Sequence, residues 1–407
     1  MTDLFPLPPG GGFDDVRGRG FLARTSLTDA WAWIDAHASH PLNAVTAPVG
    51  PGLAGRVLAA DVVAAAPVPP QPVAASDGIA VAAGETLGAG GYNPVPLMRA
   101  LPVSAGGPLP PWADAVLPYE GVERLGPLVS ALMPAPPGDG VEPAGAWAAA
   151  GAVMLPAGRV LRPADLGLLA ALGRAAVAVV RRPRVRVVLA GGPRGGGAEV
   201  LGTLLPPLVA RDGGEAAVCG PLPVDGAELG AALAAPGADV VLVAGRSGVG
   251  PDRAAPVALA AAGRVDHHGI ALRPGGSAGL GESGGVPVIL LPGEPGACLA
   301  TYDVLGSRLV RRLAGLPWHA PYGVGRAVTA RKLVSEIGFA DLYRVRRDGD
   351  GRLVPVASAA IGGLATVAAA ILGGSQVAQA ANIGASAWVS GFSRSQENEA
   401  DTLGMRY

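Results

Sequence analysis

The sequence predicts a multidomain α/β protein, and three observations carry that prediction. Between residues 184 and 314, continuous apolar runs of strand length alternate with helical segments, the pattern of a parallel sheet covered on both faces. Residues 48–136 change texture to short apolar runs broken by Pro and Gly at close intervals, as in β-rich modules. The chain has 407 residues, of which 50% are hydrophobic, enough for more than one core despite 63 Gly and 40 Pro.

The elements follow in order. Residues 1–20, with Pro8, Pro9, Gly10, Gly11, Gly12, Asp14 and Asp15, read as a disordered lead-in, not a signal peptide. A helix is predicted over 28–38, capped by Ser26 or Thr28, with Leu27, Trp31 and Ile34 on one face. A second helix runs over 161–172, with Arg162, Pro163 and Asp165 at its start and Gly173 after its end. These two assign residues 21–47 and 141–182 to a helical domain into which a β-rich domain, 48–140, is inserted. Strands at 184–190, 215–219, 239–244 and 286–291, with helices near 200–211, 225–234, 253–262 and 296–314, make an α/β domain of residues 183–317. The last helix is the clearest: Pro295 suits its first turn, Cys298, Tyr302, Leu305, Leu309 and Leu313 form a stripe, and Gly315 follows. Residues 318–370 are short and β-rich, an incomplete β-barrel, and 371–407 form a separate tail.

Charge and cysteine content exclude several function classes. With 31 basic and 32 acidic residues there is no electrostatic footprint for nucleic acid. Cys219 and Cys298 are too few for a disulfide framework or a Cys-based zinc site, which points to a reducing cytoplasm. Residues 354–393 carry no charge, and 354–372 would be long enough to span a membrane. Their Ala, Gly, Ser and Thr content, with Pro355 inside, favours a soluble reading.

In an open parallel sheet a ligand lies beyond the carboxyl ends of the strands, where glycine loops let backbone N–H groups approach an anion. The strand 239–244 runs into Gly245, Arg246, Ser247, Gly248, Val249, Gly250, Pro251 and Asp252, whose hydroxyl, glycines and guanidinium suit a phosphate. The strand 286–291 delivers Pro292, Gly293 and Glu294 to the start of a long helix, and Arg273, Pro274, Gly275, Gly276 and Ser277 add a cation. Any one such loop could be only a turn needing positive φ. His267 and His268 adjoin Asp266 in an extended segment, point to opposite faces, and read as structural. Asp77, by itself, sits in an ordinary Asp-Gly turn.

Taken in order, Ser76-Asp77-Gly78-Ile79-Ala80-Val81, Gly107 to Pro110 with Ala113 to Val116, Ser247 to Asp252, Ile270 to Gly275 and Leu291 to Pro295 resemble the molybdopterin molybdenumtransferase family, which includes the C-terminal part of gephyrin. The resemblance covers about residues 14–370. It implies a dimer with a helical domain, an inserted β domain, a molybdopterin-binding α/β domain and a small C-terminal β-barrel. It also implies insertion of molybdenum from molybdate into adenylylated molybdopterin, with Mg²⁺ and release of AMP, and a molybdoenzyme as possible recipient of the cofactor. By the same resemblance Asp77 and Asp252 match family acidic positions, with Asp252 the metal ligand; Asp77 would reach the site from a neighbouring subunit. Gly245, Arg246, Ser247, Gly248 and Gly250 would cradle phosphate, Arg273 would neutralise it with Pro274 and Gly275 lining the cofactor beside it, and Pro292, Gly293 and Glu294 would border the pterin.

Several family positions differ. The T-G-D-E loop after the first strand of the α/β domain reads Gly191-Gly192-Pro193-Arg194, without either acid, and the G-E-D turn corresponds to Gly145-Ala146-Trp147. The Thr of M-T-G-A falls on Ala105, and the Asn of P-G-N-P on Glu294. Loss of carboxylates weakens a divalent-metal site more than phosphate binding through amides, so two readings stand: an active transferase, or a molybdopterin carrier or assembly factor. The tail resembles a fragment of the zinc endopeptidases with a His-Glu-x-x-His helix, in Ser393 to Asp401, with Glu397 as third ligand and Asp401 behind it. None of the five histidines forms the i, i+4 pair that such a site needs, so the chain alone is not that peptidase.

Overall fold

The structure is a computed structural model that describes residues 16–191, 197–223, 227–250, 253–319, 322, 326–333, 335–356 and 367–372. It divides into two units, Thr46–Val179 and the rest of the chain. The expected zinc-peptidase-like tail, 371–407, lies outside the described residues apart from 371 and 372, as does most of the 1–20 lead-in.

The Thr46–Val179 unit is made of short antiparallel strands. Gly78–Val81 pairs with Leu101–Val103 on one side and Ala115–Leu117 on the other, and Leu128–Ala131 is likewise flanked by Val95–Pro96 and Val122–Leu125. Ile79, Val81, Leu97, Ala115, Leu117 and Ala131 form their shared core. Glycine is required at position 78, where a Cβ would stand 2.4 Å from the Leu117 carbonyl oxygen. The helix Pro163–Ala171 packs Leu169 with Leu53, Leu58, Leu155 and Leu161.

That helix starts on a carboxylate. Asp165, 4% exposed, accepts from Arg159 Nε and Nη2 at 3.0 and 2.8 Å and from the Arg162 amide at 2.9 Å. The bonds from Arg159, then those from Arg162, hold its carboxyl well below the usual range. A carboxyl more acidic in the folded than in the unfolded chain stabilises above the unfolded value and loses that contribution as pH falls. This unit is therefore expected to weaken as pH drops below about 4, the ordinary aspartate value. Asp165→Asn should cost about 2 kcal/mol at neutral pH and flatten that acid limb in urea titrations.

The other unit is the expected α/β body, with one helix added. Its helices are α1 (Leu27–His37), α2 (Gly197–Arg211), α3 (Ala227–Ala234), α4 (Ala255–Ala262), α5 (Pro295–Thr301) and α6 (Ser307–Leu313). Its sheet contains β1 (Arg184–Ala190), β2 (Glu215–Leu222), β3 (Val240–Ala244), β4 (Arg264–His268), β5 (Gly279–Ser283) and β6 (Val286–Leu291), in the order β2-β1-β3-β6-β5-β4. The four apolar strands read from the sequence are all parallel neighbours, β2-β1-β3-β6. The sheet is nonetheless mixed, because β5 runs antiparallel to both β6 and β4. Neither strand of this edge announces itself: β4 is polar, and β5 alternates glycine with larger residues. Those glycines permit close approach, since a Cβ on Gly281 would lie 2.2 Å from the Arg264 carbonyl oxygen.

Continuous apolar strands bury both faces, as the pattern predicts. Val185, Val187, Leu189, Leu242, Ile289 and Leu291 meet α2, α5 and α6 on one side, while Val188, Val241, Val243, Val288 and Leu290 meet α3 and α4 on the other. Helix α1 packs Leu27, Ala30 and Ile34 into the first of these clusters. Its apolar stripe gains a larger core there, and Arg308 clamps Asp35 at 2.7 and 2.6 Å. The long C-terminal helix is not continuous: five residues, Tyr302–Gly306, make a π turn between α5 and α6. Tyr302 is fully buried, and a Cβ on Gly306 would lie 2.8 Å from its ring. Both cysteines are free, and burial pushes the Cys298 thiol up to about 12.

A second small sheet is centred on Ala340–Arg347, which pairs antiparallel with Leu353–Pro355 and Val367–Leu372 and parallel with Leu272–Arg273. Part of the uncharged stretch is therefore strand, and no helix among the described residues is long and apolar enough to cross a membrane.

Candidate functional site

The chain leaves β1 through α2 to β2 on one side, then returns to β3 on the other side of β1. The crevice beyond the carboxyl ends of β1 and β3 is thus the topological switch point, where open α/β sheets hold their ligands. Three glycine turns meet there. Gly191 follows β1 with φ 143°, Gly245 follows β3 with φ 100°, and Gly293 follows β6. The Gly245 amide donates to the Leu291 carbonyl at 3.0 Å, and that of Gly191 to Leu222 at 2.9 Å. A Cβ on Gly293 would lie 3.3 Å from Gly245 Cα, and one on Gly245 would lie 2.7 Å from the Ala190 carbonyl oxygen. The tips of β1, β3 and β6 are in mutual contact because none of these residues has a side chain.

Arg246 stands at the centre with φ 57°, the one non-glycine residue with positive φ among those described. Its guanidinium reaches back over β1, with Nε 3.4 Å and Nη2 3.8 Å from where a Gly191 Cβ would be. Its carbonyl accepts from Ala255 N at 3.2 Å, at the start of α4. Gly248 is half-buried beside the Arg253 side chain, the Gly250 carbonyl accepts from Arg253 N at 3.0 Å, and Val249 accepts from Gly18 N at 2.8 Å. Pro251 and Asp252 lie outside the described residues, so the residue expected to ligate metal has no described position.

Three of the expected residues bond to other groups of the protein. Ser247 is 1% exposed, its hydroxyl lies 3.3 Å from that of Ser277, and its carbonyl meets His268 Nε2 at 2.8 Å. It ties loops together beneath the surface. Arg273, expected to neutralise phosphate, holds Asp341 at 2.7 and 3.1 Å and Glu336 at 3.1 Å, and stacks on Phe339. The spacing around Arg273 gives no hint that Asp341 returns beside it. Glu294 is exposed, but its two oxygens cap α5, accepting from Gly296 and Ala297 amides at 2.9 and 2.5 Å.

The remaining expected residues are placed without such conflict. Gly293 is exposed beside Gly245, and Pro292 is buried behind it. Pro274 follows a cis peptide bond, and Gly275, with φ 128°, packs against Thr301, where a Cβ would lie 2.5 Å from Oγ1. His267 bonds Thr25 at 3.2 Å. In the Thr46–Val179 unit, Asp77 is exposed and one oxygen accepts from Ala105 N at 2.8 Å, bracing the turn ahead of Gly107. Among the described residues, no three His, Cys, Asp or Glu side chains stand close enough to hold a metal ion together. Sequence reasoning gave Gly191 no role; its signals are the glycine pair that ends the first strand and its place in the segment matching the family's T-G-D-E loop.

Residues 25–173 match the MoeA N-terminal region (domain I and II), and residues 188–312 match the probable molybdopterin binding domain. The chain is 32% identical over 323 residues to molybdopterin molybdenumtransferase 2 of Mycobacterium tuberculosis, covering 70% of this chain and 78% of that protein. Molybdopterin molybdenumtransferase 1 of the same organism is 33% identical over 248 residues, or 58% of this chain and 57% of that one. Among solved structures, a molybdopterin biosynthesis MoeA protein from Pyrococcus horikoshii superposes with a TM-score of 0.66 at 27% identity, over 82% of this chain and 90% of the other.

Proposed function

This chain belongs to the molybdopterin molybdenumtransferase family, and from that premise we propose that it inserts molybdenum from molybdate into adenylylated molybdopterin and releases AMP. The observation that carries this reading is the meeting of three glycine turns at the switch point. The ligand brings phosphates that amide N–H donors of the turn after Gly245 would hold, since the Gly245 and Gly191 amides are given to the Leu291 and Leu222 carbonyls. In this reading Gly245, Arg246, Gly248 and Gly250 line the phosphate end and Gly293 the pterin end. Ser247, Arg273 and Glu294 support the loops from behind.

Among the described residues, no three carboxylate, His or Cys side chains gather to hold magnesium. Both oxygens of Glu294 serve its own helix, and Asp252 is the one remaining acid of the loop, so no step is routed through a metal here. The loss of both acids from the loop Gly191-Gly192-Pro193-Arg194 favours a second reading, a carrier that keeps molybdopterin without turning it over. A homodimer, a cytoplasmic location, delivery to a molybdoenzyme and a small sheet around Ala340–Arg347 that stands in for the family barrel complete the proposal.

The two readings separate in one experiment. Purified protein is mixed with adenylylated molybdopterin, with and without molybdate and Mg²⁺, and bound pterin and free AMP are followed independently. Transfer predicts AMP release that depends on molybdate and leaves molybdenum on the pterin. Bound pterin with no nucleotide released selects the carrier, and absence of bound pterin overturns both.

A further inference from the structure

Resting on that reading, we propose that His268, on the edge strand β4, is a positioning residue for the ligand: its imidazole holds the Ser247–Gly248 peptide so that the Gly248 amide faces the ligand. His268 Nε2 lies 2.8 Å from the Ser247 carbonyl oxygen. A carbonyl oxygen only accepts, so Nε2 carries the proton and donates. In a trans peptide the C=O and the N–H that follows it point in opposite directions within one plane. Fixing the Ser247 carbonyl on His268 therefore turns the Gly248 N–H to the side away from the imidazole. Glycine at 248 would otherwise leave that plane free to rotate.

The imidazole is itself held in a shaped slot. His268 pairs with Gly279 of β5, where a Cβ would stand 3.4 Å from His268 Cδ2. Phe21 meets the ring edge-on, with centroids 4.9 Å apart. It reaches that place because Gly269 has no side chain; a Cβ there would lie 2.4 Å from the Phe21 ring. Arg24 stands 4.5 Å from the centre of the Phe21 ring and donates to the Gly276 carbonyl, so the same amino-terminal segment also ties down the 273–277 loop. From that segment Gly18 N donates to the Val249 carbonyl at 2.8 Å, which turns the Gly250 amide away from Gly18 by the same planarity. Two peptides of the loop beyond β3 are thus set by groups from the far edge of the sheet and from the start of the chain. Ser247 is 1% exposed, so His268 acts through it and not by touching the ligand.

The test compares two variants of the full chain. In His268→Gln the amide nitrogen takes the place of Nε2 and can donate, whereas the side chain of His268→Asn is too short to reach Ser247. His267→Asn is the control, because that neighbouring ring bonds Thr25 instead. Molybdopterin titrations of the folded proteins should give a Kd about tenfold above wild type for His268→Asn, and within about twofold of it for His268→Gln and His267→Asn. In ligand-free protein the Gly248 amide resonance, selected by ¹³C-serine and ¹⁵N-glycine labelling, should stay one sharp line in His268→Gln and broaden or split in His268→Asn. Equal losses of affinity in His268→Gln and His268→Asn overturn the inference, since packing alone would produce them. If the wild type binds no molybdopterin but the Gly248 line behaves as expected, the hold of His268 on the loop stands and the pterin reading falls. If all the variants bind molybdopterin as the wild type does, the pterin reading stands and this inference falls.

Discussion

Replacing Asp212 by alanine is expected to destabilise the α/β unit by about 3–5 kcal/mol, the range seen when one partner of a buried ion pair is removed. Asp212 is fully buried where α2 ends, and its oxygens accept from Arg211 Nε and Nη2 at 3.2 and 2.7 Å and from Arg311 Nη1 at 3.1 Å. Arg311 is itself 6% exposed, and its Nε is used on the Pro317 carbonyl at 2.6 Å. Without Asp212, a buried guanidinium loses its counter-charge and cannot shed its proton to escape. Arg211 keeps Asp303 at 2.8 Å and Tyr322 at 2.6 Å, so the damage concentrates on Arg311. Asp212→Asn, which retains an acceptor, should cost less. The cluster stands at the amino-terminal edge of the strands, remote from the glycine turns, so ligand affinity of the folded fraction should not change. Urea unfolding followed by near-UV dichroism decides this: a loss under about 1 kcal/mol would place the cluster among ion pairs of surface strength.

The limits of sequence reading follow the same distinction between local and returning contacts. The four central strands were legible because burial on both faces makes their residues apolar without interruption, as in Val240–Ala244 and Val286–Leu291. The edge made by β4 and β5 was not, because Arg264, Asp266 and His267 are polar and Gly279 and Gly281 serve close strand approach instead of packing. The π turn at Tyr302–Gly306 is invisible to a stripe of 3.6-residue period, since Tyr302, Leu305 and Leu309 stay on the core side through it. At the site, Gly245 and Gly293 were legible as positions after strands. The partners of Arg273 and Ser247 were not, for Asp341 is 68 residues away and Ser277 is 30. A residue type can suggest that a guanidinium or hydroxyl suits a phosphate. Only the fold shows that another group already holds it.

Gly245→Ala is expected to lower stability and affinity together. The backbone at 245 has φ 100°, where an L side chain is strained, and the new methyl would stand 2.7 Å from the Ala190 carbonyl oxygen, which belongs to β1 and cannot swing aside. Relief requires the β3 turn to move away from β1, at a cost of about 1–3 kcal/mol. Moving it also opens the contact with Gly293, whose Cβ position is only 3.3 Å from Gly245 Cα. The turns that line the crevice then lose their relative placement, and a displacement of about 1 Å is enough to cost about a hundredfold in function. Gly230→Ala in α3 is the control: nothing lies within 4 Å of its Cβ position, and a helical glycine replaced by alanine gains up to about 1 kcal/mol. Parallel melting curves and molybdopterin titrations of the two variants separate a general intolerance of glycine replacement from one confined to the strand tips. If Gly245→Ala binds molybdopterin as the wild type does, the ligand does not sit over this turn.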